Sequence, residues 1–176
     1  MAVGAGSTAA VTALQERSVE DAVRDARIKV DVNSVLLQKD EKLFIKTSID
    51  VVEGRVMLTG IMQTEQAKAE AERLTWQVEG VKQVYNELQI SDSQGVIDYA
   101  RDTRISAELR AGMISDKAIS DINYTIEAVD GSIYLIGIAR SQSELERVIG
   151  HARVIPGVKR VVNHVVLKDD PIRQKS

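Results

Sequence analysis

Residues 52–60, Val-Glu-Gly-Arg-Val-Met-Leu-Thr-Gly, decide the fold, and residues 129–137, Val-Asp-Gly-Ser-Ile-Tyr-Leu-Ile-Gly, repeat the pattern. In both stretches an acidic residue followed by glycine interrupts a run in which apolar residues recur at every second position. The acidic residue and the glycine supply the positive φ angles of a tight turn, and the alternation is typical of a half-buried strand. The sequence therefore predicts two β-hairpins of the same design.

These stretches belong to a longer internal duplication. Sliding the chain along itself by 77 positions places residues 25–90 over residues 102–167 without a gap. Identical pairs fall on glycines, such as Gly80 and Gly157, and on regularly spaced apolar positions. A shared backbone requires identity at such positions, so the duplication indicates two copies of one fold rather than a shared catalytic centre.

Each repeat is predicted to run helix, strand, strand, helix, strand. Apolar residues at helical spacing predict an opening helix over residues 28–36 and its equivalent in the second repeat, and the hairpins are expected to begin at Ile45 and Ile122. Thr64 and Ser141 are suited to capping the second helix. A β-branched strand then closes each repeat.

We therefore predict an α+β protein of two tandem αββαβ sandwiches, each a three-stranded mixed sheet with two helices on one face. A flexible N-terminal tether and lead-in, the first repeat, a linker, the second repeat and a C-terminal tail are expected at residues 1–23, 24–90, 91–101, 102–168 and 169–176. A repeat of this length is near the lower limit for independent folding, which favours packing of the two copies together.

The sheet faces without helices differ between the repeats. In the first repeat the outward positions have the mixed polarity of a solvated surface: Met57, Thr59, Tyr85, Glu87 and Gln89. In the second repeat they are mostly apolar: Tyr134, Ile136, Val162, His164 and Val166. An apolar face of this kind is rarely left in water, so we expect the other repeat, a terminal segment, a partner protein or lipid to cover it. Trp76 marks another candidate contact, with core packing as the alternative.

Composition excludes several classes of function. A formal charge of −3 gives no overall attraction to nucleic acid, and aromatic residues, at 3%, are too few for base-stacking platforms. Cysteine is absent, which removes thiolate catalysis and the usual zinc spacings. No segment has the length and hydropathy of a transmembrane helix. We expect no cofactor, no metal site and no nucleic-acid partner.

The residues that follow the hairpins complete a resemblance to a known family. Residues 80–88 read Gly-Val-Lys-Gln-Val-Tyr-Asn-Glu-Leu, and residues 157–165 read Gly-Val-Lys-Arg-Val-Val-Asn-His-Val. Together with the hairpin stretches they resemble the BON (bacterial OsmY and nodulation) domain, over about three quarters of the chain. The arrangement is similar to that of the dual-BON lipoproteins of Gram-negative envelopes.

The resemblance implies a non-catalytic periplasmic protein that binds anionic phospholipid surfaces and supports outer-membrane integrity. It also implies anchoring to the outer membrane through a lipidated cysteine, which would precede the first residue of this sequence. By the same resemblance, the first helix of the second repeat faces lipid through five residues: Tyr99, Arg101, Arg104, Arg110 and Ile114. The alternative is a periplasmic scaffold that binds proteins, possible envelope partners, without lipid affinity. The oligomeric state is left open.

An enzyme is disfavoured. The chain has two histidines, His151 and His164, and neither has a nucleophile or carboxylate partner in a recognisable motif. Their equivalents in the first repeat are Leu74 and Glu87, so no histidine is shared by the two copies. We predict a structural role for His151 on a partly buried helix face.

Overall fold

The computed structural model describes residues 15–91 and 99–174 and confirms the predicted α+β class, with one three-stranded mixed sheet in each repeat. The elements of the first repeat are α1 (Val19–Lys39), α2 (Glu41–Lys46), β1 (Thr47–Val52), β2 (Arg55–Met62), α3 (Glu65–Thr75) and β3 (Gln83–Ile90). Those of the second are α4 (Tyr99–Ser115), β4 (Tyr124–Val129), β5 (Ser132–Ala139), α5 (Gln142–Arg153) and β6 (Arg160–Leu167). Short 3₁₀ helices lie at Asp121–Asn123 and Pro171–Gln174.

The two sheets have the same topology and register. In each sheet the second strand is central, antiparallel to the hairpin partner and parallel to the last strand. Ile49 pairs with Leu58 in the first sheet, and Ile126 pairs with Leu135 in the second. The helix between the central and last strands makes the long crossover that a parallel pair requires.

A buried carboxylate holds each hairpin turn. Glu53 and Gly54 have φ angles of 54° and 77°, so the turn places a non-glycine residue in the left-handed region. The carboxylate of Asp25, on α1, accepts hydrogen bonds from the backbone N–H groups of both residues at 2.8 and 2.9 Å. Asp102 on α4 does the same for Asp130 and Gly131 at 2.7 and 2.8 Å. The turn and its helix are therefore fixed to each other in both repeats.

Each repeat has its own apolar core between its helices and one face of its sheet. In α1 the buried residues Ile28, Val32 and Leu36 recur every four positions and pack on the first sheet. Ile105, Leu109 and Met113 form the same stripe in α4. As predicted, Thr64 and Ser141 cap α3 and α5, each accepting a hydrogen bond from a first-turn N–H.

Several predicted boundaries are corrected. Strand β1 begins at Thr47 rather than Ile45, because Asp40 caps the short helix α2 over the preceding residues and leaves Ile45 exposed. Ile122 likewise lies in a 3₁₀ helix before β4. Helix α1 begins at Val19, earlier than the expected residue 28. The expected tether falls largely on residues 1–14 and the linker on residues 92–98, both outside the described residues.

Candidate functional site

The helix-free faces of the two sheets pack against each other, so the order of layers is helices, sheet, sheet, helices. The buried residues of this interface come from both repeats: Val52, Met57, Tyr134, Ile136 and Ile138. Tyr85, Val129, Val162 and Val166 pack against them at the edges. The apolar face of the second repeat is thus covered by the first repeat.

The expectation of a solvated face on the first repeat was wrong. Met57 and Thr59 are fully buried in the interface. Two polar residues of this face, Glu87 and Gln89, find partners in the second repeat, whereas the buried Oγ1 of Thr59 has no hydrogen-bond partner among the described residues. Gln89 Nε2 donates to the backbone oxygen of Val129 and to the hydroxyl of Tyr134, at 3.1 and 2.9 Å. Mixed polarity in the sequence therefore reflected matched polar groups rather than exposure to water.

Equivalent positions of the duplication meet each other across the interface. The Nε2 atom of His164 lies 2.8 Å from Oε1 of Glu87, the residue 77 positions before it. The ring of His164 also stacks on Tyr85, with 4.0 Å between centroids. Asp50 and Glu127 are again 77 positions apart, and the negative charge of Asp50 contributes to raising the pKa of Glu127. Contacts between equivalent residues are the signature of a two-fold interface, so the repeats pack as an internal pseudo-dimer.

Arg55 is the main polar anchor of the interface. Its side chain is buried, and its guanidinium donates to the backbone oxygens of His164 and Gly137 at 2.9 and 3.0 Å. On the other side, Arg160 donates to the Tyr134 hydroxyl at 2.8 Å and lies over the Tyr134 ring. The bonds from Arg55 cross between the repeats and fix how the two sheets are oriented, which an apolar contact alone does not. The Arg160 contact lies within the second repeat.

The acidic pair in the interface is electrostatically unusual. Burial raises the pKa of Glu127 to about 7, and the negative charge of Asp50 adds to the rise. Burial also raises the pKa of Asp50, although Lys29, at 3.4 Å, opposes it. Within the described residues, Oδ2 of Asp50 is buried without a hydrogen-bond partner. Burial and the nearby negative charge therefore favour the protonated form of Glu127.

The residues predicted to form a partner or interdomain surface lie in two different places. Tyr134, Ile136, Val162, His164 and Val166 all lie at the interface between the sheets. Trp76 lies elsewhere: it follows the last residue of α3 and is 45% exposed, so it neither packs in a core nor joins the repeats. Its equivalent in the second repeat is Arg153, a polar residue, which suits an outer position.

The predicted lipid-facing residues of α4 are present on the surface, but its arginines are engaged within the repeat. Tyr99 and Ile114 are exposed near opposite ends of the helix. Arg101 pairs with Asp130 at 2.8 Å, and Arg104 donates to the backbone oxygen of Pro156 at 2.9 Å. Arg110 donates to the backbone oxygens of Asp121 and Tyr124. These guanidinium groups have fewer hydrogen-bond donors left for phosphate than the sequence suggested.

A surface that the sequence analysis missed lies on α1. Val19, Val23, Val30 and Leu37 are between 48% and 66% exposed. At 3.6 residues per turn, Val30 lies roughly 200° around the axis from Ile28, so this outer row is opposite the buried stripe. The spacing of four and seven residues is visible in the sequence, beside the stripe of the same helix that becomes buried.

The remaining histidine has a structural environment. Nε2 of His151 lies 3.1 Å from Oδ2 of Asp116, which also accepts from Arg147. Hydrogen bonds from Arg147 and His151 lower the pKa of Asp116 to about 2. These contacts tie the end of α4 to α5. In the described parts of the chain, no cluster of three or more His, Cys, Asp or Glu side chains is arranged to hold a metal ion.

Of the helices within residues 15–91 and 99–174, none combines the length and apolar character needed to span a bilayer.

Comparison with known proteins gives the family. The BON domain matches residues 24–92 and 101–169. The chain is 38% identical over 153 residues, 86% of its length and 100% of the relative's, to a protein from the gshII 5' region of Anaplasma centrale. It is 28% identical to osmotically-inducible protein Y of Escherichia coli K12, covering 82% of this chain and 73% of the relative. It is 26% identical to the outer membrane lipoprotein DolP of Haemophilus influenzae, covering 91% and 83%. The chain belongs to the BON-domain family, with two BON domains packed face to face.

Proposed function

We propose that this protein is a non-catalytic module of the bacterial envelope that binds anionic phospholipid surfaces and supports the integrity of the outer membrane. Two lines of support are the BON family and a relative named as an outer membrane lipoprotein. The location proposed is the periplasmic side of the outer membrane, anchored through a lipidated cysteine. Fractionation of cells that produce the full gene product, with and without a lipoprotein-processing inhibitor, tests the location and the anchor separately.

The observation that carries the lipid proposal is the outer row of α1. The row places four exposed aliphatic side chains along a helix of 21 residues. Arg27 lies beside this row, roughly 65° around the helix axis, and Arg24 lies roughly 125° from it. Their side chains are 79% and 62% exposed. Their partners, Asp21 and Asp31, are one helical turn away, and exposed pairs of this kind contribute little. Both arginines are free to turn toward phosphate, and each would contribute about 1 kcal/mol at an anionic surface.

Because helices cover the two outer surfaces of the stacked sheets, α1 and α4 face away from each other, and a flat bilayer contacts one of them. The first repeat has the larger row of exposed apolar residues, and its arginines make fewer contacts within their own repeat. We therefore assign the contact to α1, and the residues predicted on α4 remain a competing proposal that the same experiment decides.

Flotation with vesicles tests this assignment. The wild-type protein is expected to float at low salt with vesicles of phosphatidylglycerol and phosphatidylcholine, and not with phosphatidylcholine alone. Replacing both arginines (Arg24→Gln with Arg27→Gln) is expected to weaken binding by roughly 30-fold, because two contributions of about 1 kcal/mol are lost. Val23→Gln with Val30→Gln is expected to weaken it as well.

The matched control is on α4, where Tyr99→Gln with Ile114→Gln is expected to leave flotation unchanged. If this variant loses binding and the α1 variants keep it, the contact lies on α4. If the wild-type protein does not float with anionic vesicles at low salt, the lipid function is wrong.

One observation favours the second candidate, a scaffold that binds proteins. With Ala26 included, the outer row follows spacings of four, three, four and seven residues, and it is narrow. A narrow row with this spacing is typical of a seam between two helices, whereas interfacial helices have a wider apolar face. Failure to float, combined with cross-linking through a cysteine placed at Val23 in cells, would establish this candidate in place of the first.

A further inference from the structure

An open cleft in the first repeat corresponds to a filled groove in the second. The cleft lies between α1 and the loop after α3, has a volume of about 200 Å³, and is lined by Ile28, Gly54 and Gly80 among others. Sites that hold a whole small molecule are typically about 300 to 1,000 Å³ in volume. The cleft is therefore of a size for one inserted side chain.

The second repeat shows which chemical group fits the groove. The guanidinium of Arg104 crosses it and donates to the backbone oxygen of Pro156 at 2.9 Å. A Cβ atom placed on Gly157 would lie 3.5 Å from Nη2 of Arg104, so the guanidinium also covers this glycine. A guanidinium carries hydrogen-bond donors only, which matches a groove that offers a carbonyl oxygen.

The equivalent backbone groups of the first repeat lack this contact. Glu79 is the equivalent of Pro156, and its backbone oxygen accepts no hydrogen bond from the described residues. A Cβ atom placed on Gly80 would have only side-chain atoms of Ile28 within 4 Å, apart from its chain neighbours. The arginine at the equivalent position, Arg27, turns outward instead. The first repeat thus presents the acceptor without its donor.

The charges of the cleft favour a cation. Glu79 adds an exposed carboxylate where the second repeat has a proline, and this carboxylate forms no ion pair or hydrogen bond with residues 15–91 and 99–174. The other acidic lining residues have cationic partners within the chain: Asp21 pairs with Arg24, Asp25 with Arg17, and Glu53 with Arg173. Lys82, Arg24 and Arg27 also line the cleft, so an anion is the rival occupant. The carboxylate and the carbonyl oxygen of Glu79 would both repel an anion.

We propose that the cleft of the first repeat binds an arginine side chain presented by a partner protein, in the place that Arg104 takes in the second repeat. The guanidinium donates to the backbone oxygen of Glu79 and pairs with its carboxylate, while the alkyl chain packs on Ile28. The proposal does not rest on the lipid function, because the contacts that define it lie in the groove beside α1 rather than on its outer row.

An NMR titration of the full chain with N-acetyl-arginine-N-methylamide tests the proposal. Amide signals of glycines report on the two grooves separately. We expect saturable shifts at Gly54 and Gly80 with millimolar affinity, as for other contacts made by one side chain, and none at Gly131 and Gly157. The same compound built on citrulline, which is similar in shape but uncharged, is expected to bind roughly fivefold more weakly or worse.

A matched pair of variants tests the carboxylate. Glu79→Gln is expected to weaken binding of the capped arginine by up to roughly fivefold, because it removes an exposed ion pair. Glu65→Gln removes the same charge at the opposite end of α3 and is expected to leave binding unchanged.

A variant of the second repeat tests the comparison on which the proposal is built. Arg104→Gln removes the side chain that fills the second groove. In this variant the capped arginine is expected to shift Gly131 and Gly157 as well as Gly54 and Gly80. The dispersion of the other amide signals shows that the variant remains folded.

Several results would overturn the proposal. One is a wild-type chain in which capped arginine leaves Gly54 and Gly80 unshifted, or binds no better than capped citrulline. Others are equal losses in Glu79→Gln and Glu65→Gln, no new shifts in Arg104→Gln, or tighter binding of free arginine, which would indicate a small-molecule site. Shifts with inorganic phosphate but not with capped arginine would make the cleft an anion site. Binding that appears only in Arg27→Gln would show that Arg27 closes the cleft itself.

Discussion

In the second repeat, Arg104 donates to the backbone oxygen of Pro156 and crosses the groove between α4 and the loop after α5. In the first repeat the equivalent Arg27 turns outward to Asp31, at 3.6 Å, and the equivalent groove is an open cleft of about 200 Å³. The same difference applies one turn earlier, where Arg101 bonds the hairpin turn and its equivalent Arg24 does not. Arginines at equivalent positions therefore close the groove in the second repeat and leave it open in the first.

The hairpin turn of the first repeat is stabilised from outside the repeat instead. Arg17, from the segment before α1, pairs with Asp25 at 2.8 Å. Arg173, from the C-terminal 3₁₀ helix, forms a two-pronged contact with Glu53 and also donates to the backbone oxygen of Glu16. Segments near both ends of the described residues thus meet at one turn, whereas Arg101 and Lys159 hold the corresponding turn from within the second repeat. The backbone was duplicated, and the ion pairs around it diverged.

The largest expected effect tests the buried carboxylate that holds the hairpin turn in both repeats. Asp102→Ala removes the acceptor for two buried backbone N–H groups and should lower the free energy of unfolding by about 3 to 5 kcal/mol. Asp25→Ala should cost at least as much, because it also removes the partner of Arg17. Urea denaturation measures both. A loss below about 1 kcal/mol in either variant would show that the turn does not need its carboxylate.

The next effect tests the interface between the repeats. Arg55→Ala removes two hydrogen bonds to the second repeat and leaves a cavity, so docking should weaken by about 2 to 4 kcal/mol. We expect a broader denaturation curve, or two transitions, as the repeats begin to unfold separately. The matched control is Ser132→Ala at the equivalent position, with an expected change below about 0.5 kcal/mol. A single transition at the wild-type midpoint in Arg55→Ala would contradict the role of this residue.

The sequence predicted the elements shared by the repeats better than the contacts that differ between them. Gly54, Gly131 and the alternating strands specify the hairpins locally, so the fold class and strand order followed from the pattern. Polarity was a poor guide to the interface, because Glu87 and Gln89 are partly covered and find their hydrogen-bond partners in the other repeat. The outward turn of Arg27 and the inward turn of Arg104 could not be predicted, since both are arginines at the same helical position.

A smaller effect tests the contact between the C-terminal 3₁₀ helix and the hairpin turn of the first repeat. Arg173→Gln breaks a mostly covered, two-pronged contact with Glu53, so it should destabilise the first repeat by about 1 to 2 kcal/mol. Arg104→Gln, at an exposed position in the second repeat, should cost less than about 1 kcal/mol. Thermal denaturation at low salt compares the two variants. Equal losses would mean that the tail contact contributes no more than a surface ion pair.

The smallest effect concerns an ion pair whose charges are exchanged between the repeats. At the end of α1, Lys39 lies 3.4 Å from Glu70 on α3, and at the equivalent positions of the second repeat Asp116 lies 2.7 Å from Arg147 on α5. Asp116→Lys and Arg147→Glu should each be slightly destabilising, because each places like charges opposite one another. Combining them recreates the arrangement of the first repeat and should recover most of the loss in a double-mutant cycle.

Recovery should be incomplete for a specific reason. His151 contacts Asp116, whereas its equivalent in the first repeat is Leu74, so the exchanged pair leaves His151 beside a cation. Adding His151→Leu to the double variant should restore the stability that was not recovered. The acid profile gives an independent check: the lowered pKa of Asp116 stabilises the wild-type fold above about pH 3.8, and this contribution is lost as the pH falls toward about 2. Replacing Asp116 should remove that part of the acid sensitivity. If the double variant loses as much stability as the two single variants lose together, the two pairs, although equivalent in position, are not equivalent in energy.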